Sequence, residues 1–265
     1  MPSALITGTS SGLGRGVAER LTVLGWDVLG TVLAPEHGDG LPFETVVADV
    51  TDDAAMAELG VAVGERWGGL DALVNNAGFA LGGPWEELMP AELRRQLDVN
   101  LVGAMALTGA CLPALRTSRG VVVNVSSVSG QAGDALMGAY NASKFGLEGA
   151  SEALRAEVRP FGVRVVLIEP GPFRTPISLV SPQAAGKDPD GDYAEGWRTI
   201  DGWLAWHAEQ SADPQPCIAA IVGAVTRPDA PFRIPVGEGI ADVVRRHAHK
   251  LIEQADAAEA FLRSL

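Results

Sequence analysis

Ala4-Leu5-Ile6-Thr7-Gly8-Thr9-Ser10-Ser11-Gly12-Leu13-Gly14 is the stretch on which the fold turns. A strand-like apolar run passes directly into a glycine loop, and the loop opens an amphipathic helical pattern carried by Val17, Leu21 and Leu24. Glycines at such a junction let the backbone turn tightly and approach a pyrophosphate, whose charge a helix N-terminus stabilises. The spacing here is G-x-x-x-G-x-G, not the G-x-G-x-x-G of many dinucleotide binders. A glycine cluster alone is often only a turn; its position directly after a strand is what raises its meaning.

Outward from this junction, short β-branched runs alternate with helical patterns, the signature of βαβ units and a parallel sheet. Strands are predicted near 3–7, 27–32, 44–48, 71–75, 120–126, 163–168 and 232–236. The run Gly120-Val-Val-Val-Asn-Val-Ser126 is nearly all apolar, as a central strand covered on both faces requires. Leu93, Leu97, Leu101, Ala104 and Leu107 keep helical spacing, as do Leu147, Leu154 and Val158. No repeat or linker divides residues 1–265, so one α/β domain is expected. Two segments interrupt the alternation. Leu33 to Pro42 is too short and loop-like for a normal helix, and 176–216 is rich in Gly, Pro and aromatic residues.

Of the 265 residues, 47% are hydrophobic and 20% charged, enough for a sizeable core. The net charge of −13 disfavours binding to a phosphate backbone, so nucleic acid is not an expected partner. No run approaches the ~20 consecutive apolar residues of a membrane span. The first strand begins almost at once, which leaves no room for a signal peptide. Cys111 and Cys217 are far apart in apolar settings, so a reduced, cytoplasmic protein is expected. His247 and His249 sit two apart on a predicted helix and face different ways, so no metal site is read.

The chemistry-bearing pattern is Tyr140-Asn-Ala-Ser-Lys144, which puts a phenol and an ammonium on one helix face. A free tyrosine titrates near pH ~10, and a neighbouring cation favours the phenolate, so Lys144 is expected to tune Tyr140 towards acid/base work. Ser127 lies thirteen residues upstream of Tyr140, at the predicted end of strand five.

Together with the glycine loop, these residues resemble the short-chain dehydrogenase/reductase family from about Ala4 to Thr175. The resemblance implies a doubly wound Rossmann fold with a seven-stranded parallel sheet in the order 3-2-1-4-5-6-7. It also implies an NAD(P)-dependent oxidoreductase whose catalytic set maps onto Asn100, Ser127, Tyr140 and Lys144. Ser127 would hydrogen-bond the substrate oxygen and Tyr140 would exchange a proton with it. Lys144 would bind the nicotinamide ribose, and Asn100 would hold a water linking Lys144 to solvent. The cofactor contacts implied are Gly8, Ser10, Ser11, Gly12, Leu13 and Gly14 in the loop, and Asp49 and Val50 beside adenine. Asn76, Ala77 and Gly78 of the N-N-A-G run join them, with Tyr140, Lys144, and Pro170, Gly171, Phe173 and Thr175 beside the nicotinamide.

The chain departs from the family at the end of strand two. Val32 and Leu33 stand where an acidic residue usually selects NAD or a basic one NADP, and Glu36 and Asp39 nearby would repel a phosphate. NAD is favoured over NADP on that ground. The run Tyr140 to Gly149 followed by Glu169 to Thr175 looks like the branch containing retinol and 17β-hydroxysteroid dehydrogenases. A secondary alcohol or ketone on a fairly hydrophobic molecule is therefore the expected substrate. Phe79, Leu81, Trp85, Met137 and Phe173 are candidates to line the cleft, with 176–216 covering it. Within that cover Tyr193, Trp197, Ile200, Leu204 and His207 keep helical spacing, which core packing would explain equally well; His207 reads as a surface residue. A dinucleotide-sensing protein without catalysis is the second reading, and such proteins typically lose the Tyr or Lys that this chain keeps. Relatives assemble into homodimers or homotetramers. The last helix, 239–265, would cover either the sheet edge or a partner subunit.

Overall fold

The computed structural model describes residues 1–177 and 182–265. Seven parallel strands form one sheet in the order β3-β2-β1-β4-β5-β6-β7, as the resemblance implies. They are β1 (Ser3–Ile6), β2 (Asp27–Val32), β3 (Glu44–Val47), β4 (Ala72–Asn75), β5 (Val121–Val125), β6 (Arg164–Pro170) and β7 (Arg233–Val236). Each lies within two residues of its predicted bounds. The central strands are buried on both faces, which is why their sequences are continuous apolar runs rather than alternations.

Two apolar layers flank the sheet. On one face α1 (Gly12–Val23) and α7 (Gln215–Thr226) cover Ile6, Val74, Val123 and Ile168. On the other, α2 (Asp53–Trp67), α4 (Gly103–Ser118) and α5 (Gly138–Val158) cover Leu5, Leu73 and Val122. Strand order reverses between β1 and β4, so the carboxyl ends of these strands open a crevice where such sheets take ligands. The short second crossover holds only a single 3₁₀ turn, Pro35–Gly38, as its loop-forming composition predicts.

The helical pattern through Leu93 and Leu107 is not one regular helix. Pro90–Leu97 (α3) passes through a π-helical turn at Asp98–Val102 before α4 begins. Among the described residues, the stretch Pro90–Ser118 is long and apolar enough to cross a membrane by length and composition. Its apolar residues have another use here, since Leu107, Cys111 and Leu115 are fully buried against the sheet.

Beyond β6, α6 (Ala194–Gln210) lies over the loop that follows β4, and α8 (Ile240–Arg263) closes the chain. The last helix does not cover the sheet edge along its length: Ile240 is buried, but residues 248–265 are exposed throughout. Residues 178–181, inside the segment expected to cover the cleft, lie outside the described residues.

Candidate active site

The glycine loop is built for close approach. Gly8 and Gly12 have φ of +70° and +59°, a region that L side chains rarely adopt. A Cβ on Gly14 would collide with the Asn76 amide and the Gly8 carbonyl. The loop is tied down from the next strand: Asn76 Nδ2 donates to the carbonyls of Thr7 (2.9 Å) and Gly8 (3.1 Å), while the N–H groups of Asn76 and Ala77 donate to Thr7 Oγ1 (both 3.0 Å). Asn76 thus serves here as a brace for the loop. Its neighbour Asn75 braces the sheet through Asn124 and Thr108. Ser11, the N-cap of α1, makes no side-chain cap bond, and the first turn carries no acidic residue. Backbone donors and a positive dipole end therefore face the crevice, as a diphosphate requires. The residues present fit the diphosphate of a dinucleotide.

At the predicted adenine end, Val50 is buried and Asp49 is exposed, its carboxylate accepting from the Thr51 N–H and hydroxyl (both 2.9 Å). Gly103 explains the close seating of α4 there, because a Cβ would strike the Val50 carbonyl. At the opposite end, Gly171 and Phe173 follow β6; Phe173 is buried and Gly171 packs on Ile240.

Ser127, Tyr140 and Lys144 come together at the end of β5. Ser127 accepts from the Ser129 N–H (3.1 Å), and its hydroxyl stands near enough to the Tyr140 phenol to favour the phenolate. Lys144 is buried, with Nζ 2.8 Å from the Val125 carbonyl and 5.8 Å from the centre of the Tyr140 ring. The expected tuning of the phenol by Lys144 is not what this geometry shows. Burial pushes the Tyr140 pKa up and Ser127 opposes it, while Lys144 gives one of its three N–H donors to a backbone carbonyl. Lys144 itself is pushed down to about 8 by burial, with the carboxylate of Glu148 one turn along opposing that shift.

Asn100 lies in the π-helical turn and is buried. Its amide donates to the Phe79 carbonyl (2.9 Å) and to Ser143 Oγ (3.1 Å), and its oxygen accepts from the Phe79 N–H (3.1 Å). The side chain therefore ties the loop after β4 to α5, and its oxygen keeps a second lone pair beyond the bond from the Phe79 N–H. The widened turn is the kind of local irregularity that gathers at functional sites.

Met137, Gly82, Ala80, Ile200, Trp203 and Leu204 line a small pocket where α6 meets the loop after β4. Trp197 is the anchor of α6, almost fully buried with its indole N–H on Glu87 (2.6 Å). Leu136 holds α6 from the other side in a left-handed conformation (φ +66°), its carbonyl accepting from Gly83 N (2.7 Å) and its side chain packed against Gly196. Trp85 packs on Gly138, two residues before Tyr140. His207, read from the sequence as a surface residue, is instead buried against Trp203, and burial holds its pKa low. The helical stripe gave no means of telling which of its faces meets the body.

Sequence reasoning missed a buried polar cluster behind Lys144. Arg233 Nε sits 3.0 Å from Glu148 and 3.3 Å from Glu169, and Gln131 donates to both carboxylates (3.1 and 3.0 Å). Burial and then the charge of Glu148 push Glu169 up to about 7. A carboxyl whose pKa is raised on folding costs nothing below its unfolded value near 4.5; it weakens the fold as pH climbs from there to about 7, after which the cost is constant. The size is ~3 kcal/mol. Glu169→Gln is therefore expected to flatten the fall in thermal stability between pH 4.5 and 7 and to raise Tm at pH 8. Parallel melting curves for the two proteins across that range would contradict it.

Comparison with known proteins agrees with the geometry. Residues 2–184 match the short chain dehydrogenase family model. The chain is 35% identical to a 3-ketodihydrosphingosine reductase of Bacteroides thetaiotaomicron, over 88% of this chain and 87% of that one. It is 37% identical to an NADPH-dependent 3-dehydrocapnine reductase of Ornithobacterium rhinotracheale (76% of each). Identity to mouse retinol dehydrogenase 5 is 42%, over 65% of this chain and 57% of that protein. A solved short-chain dehydrogenase from Streptomyces avermitilis superposes with a TM-score of 0.87 at 34% identity, covering 99% and 98% of the two chains. With a glycine loop, a seven-stranded sheet and a Ser-Tyr-Lys cluster that fit it, this chain belongs to the short-chain dehydrogenase family and is an NAD(P)-dependent oxidoreductase.

Proposed function

We propose that this enzyme interconverts a secondary alcohol and a ketone on a fairly hydrophobic small molecule, with Tyr140 as the proton-exchanging group. The observation that carries this reading is the meeting of Ser127, Tyr140 and Lys144 at the end of β5. A nicotinamide dinucleotide, when bound, supplies or accepts the hydride. The glycine loop and the N-terminus of α1 would hold its diphosphate, and Lys144 would hold the ribose next to the nicotinamide. Ser127 donates to the substrate oxygen, and Tyr140 delivers or takes the proton there. Two fixed donors on that oxygen stabilise the charge that develops on it. The buried Arg233–Glu148–Glu169 cluster keeps a carboxylate near Lys144, which favours its charged form.

Met137, three residues before Tyr140, and the apolar residues that α6 brings against it favour an apolar body on the substrate, since burial of apolar surface stabilises by about 25 cal/mol per Å². Relatives named for a ketodihydrosphingosine, a dehydrocapnine and a retinol are consistent with that class. Retention of both Tyr140 and Lys144 speaks against a purely sensing role.

For the cofactor, NAD is the preferred reading. Val32 is buried, Leu33 is exposed and uncharged, and Arg15 forms an exposed pair with Glu19 at 2.7 Å, so among the described residues the end of β2 itself offers a 2′-phosphate no cation. Titration of the protein with NADH and NADPH, followed by turnover of a panel of ketones with the tighter binder, tests both halves. Tighter NADH binding with turnover of hydrophobic ketones is expected. Tighter NADPH binding, as in the NADPH-dependent relative, would overturn the NAD preference, and turnover confined to small polar ketones would overturn the substrate class.

A further inference from the structure

The last helix leaves the body. Of its residues Ile240 is buried, Ala241, Val243, Val244 and His247 are partly covered, and 248–265 are exposed. Most helical stability in proteins comes from packing an apolar face. This one has such a face. Val244, Ala248, Leu251, Ala255, Ala258, Leu262 and Leu265 follow one another at alternating steps of four and three, the spacing of a coiled-coil seam. Leu251, Leu262 and Leu265 on that seam are 51%, 66% and 87% exposed.

We infer that α8 pairs with α8 of a second copy of this chain, antiparallel and centred near Glu253. Three observations choose this occupant. The first is charge. The first half of the helix carries Arg245, Arg246 and Lys250 against Asp242, and the second Glu253, Asp256 and Glu259 against Arg263. An antiparallel partner sets basic against acidic, whereas a parallel one sets like against like. Arg245 and Glu259 flank the seam on the same side, so Arg245 meets Glu259 of the partner subunit. In the single chain these two residues form only exposed pairs with Asp242 (2.6 Å) and Arg263 (3.3 Å). Pairing joins them into a four-charge array, and networks contribute more than isolated surface pairs.

The second observation is volume. Antiparallel packing sets Leu251 against Ala255 of the partner subunit, Val244 against Leu262 of the partner subunit, and Ala248 against Ala258 of the partner subunit. Leu251 then lies over an alanine, two alanines allow close approach beside it, and Val244 and Leu262 close the apolar ends. Parallel packing in register stacks alanine on alanine at the successive layers 255 and 258, between leucine-on-leucine layers at 251 and 262, leaving gaps. The third is shape: an antiparallel pair holds the two bodies at opposite ends of the helices. A lipid surface fits less well, because residues 240–265 carry as many acidic as basic side chains and the chain as a whole has a charge of −13.

Sedimentation velocity of the full chain tests the pairing with Arg245→Glu, Glu259→Arg and the double exchange, using NADH binding as the check that each protein is folded. Each single change is expected to weaken assembly at least tenfold, and the double exchange to restore it to within about threefold. Ile252 lies beside the seam at the centre of the pair. Ile252→Cys should be joined to its counterpart by a short bis-maleimide, with little background because Cys111 and Cys217 are buried. A monomeric full chain, assembly unchanged in both single variants with no cross-link, or co-sedimentation with anionic vesicles instead of self-association would each overturn the inference.

Discussion

Replacing Tyr140 with Phe is expected to lower turnover about 10³-fold while leaving dinucleotide affinity within a few-fold of the parent. A positioned general acid or base contributes 10²–10⁴-fold, and the phenol oxygen is the atom removed. The ring remains, so its packing, including the 5.8 Å approach of Lys144 Nζ, is retained. That loss corresponds to ~4 kcal/mol of transition-state stabilisation. The split between turnover and binding is the informative part. A fall in both together would mean that the substitution disturbs α5, and a Phe variant that turns over normally would remove Tyr140 from the chemistry. The pH profile offers a second check. The cofactor-free Lys144 loses its charge near pH 8, so dinucleotide binding should weaken as pH rises through that value if the ammonium holds the ribose.

The second large effect lies in the glycine loop. Gly14→Ala should weaken NADH binding at least tenfold and destabilise the protein by about 1–3 kcal/mol. The added methyl would meet the Asn76 amide and the Gly8 carbonyl, neither of which can yield freely. Asn76 is held by the Thr7 and Gly8 carbonyls, and Gly8 packs against Ala77, so the strain passes into the loop that cradles the diphosphate. Quenching of tryptophan emission by NADH, with thermal melts alongside, measures both quantities. Parent-like affinity in this variant would mean that the diphosphate does not depend on this part of the loop. Gly149→Ala is a suitable control, because nothing stands within 4 Å of the position its Cβ would take.

The parts of the fold that the sequence made legible are those that depend on local pattern. Continuous apolar runs such as Val121–Val125 can be satisfied only by strands covered on both faces, and the glycine loop can follow only a strand that ends where the helix begins. Ser127, Tyr140 and Lys144 were legible because two lie one turn apart on one helix and the third ends the adjacent strand. What stayed hidden depends on long-range contacts. Glu148, Glu169 and Arg233 come from α5, β6 and β7, and each alone reads as an ordinary surface charge; only the sheet brings them within 3.3 Å. His207 sits on a stripe whose buried face is chosen by Trp197 finding Glu87, more than a hundred residues away. Burial also reversed the direction expected for Tyr140, since local sequence shows the neighbouring cation but not how deeply the phenol sits.

The most direct test of hydride exchange coupled to proton transfer at Tyr140 is a single-turnover reaction. NADH deuterated at the transferring position of C4 would be mixed with a hydrophobic ketone, and the product analysed by mass spectrometry. The account predicts an alcohol carrying one deuterium at the carbinol carbon, formed by the parent enzyme and almost none by Tyr140→Phe. Tight NADH binding with no deuterium transferred to any ketone in the panel would contradict it, and would favour a chain that senses the dinucleotide without using it.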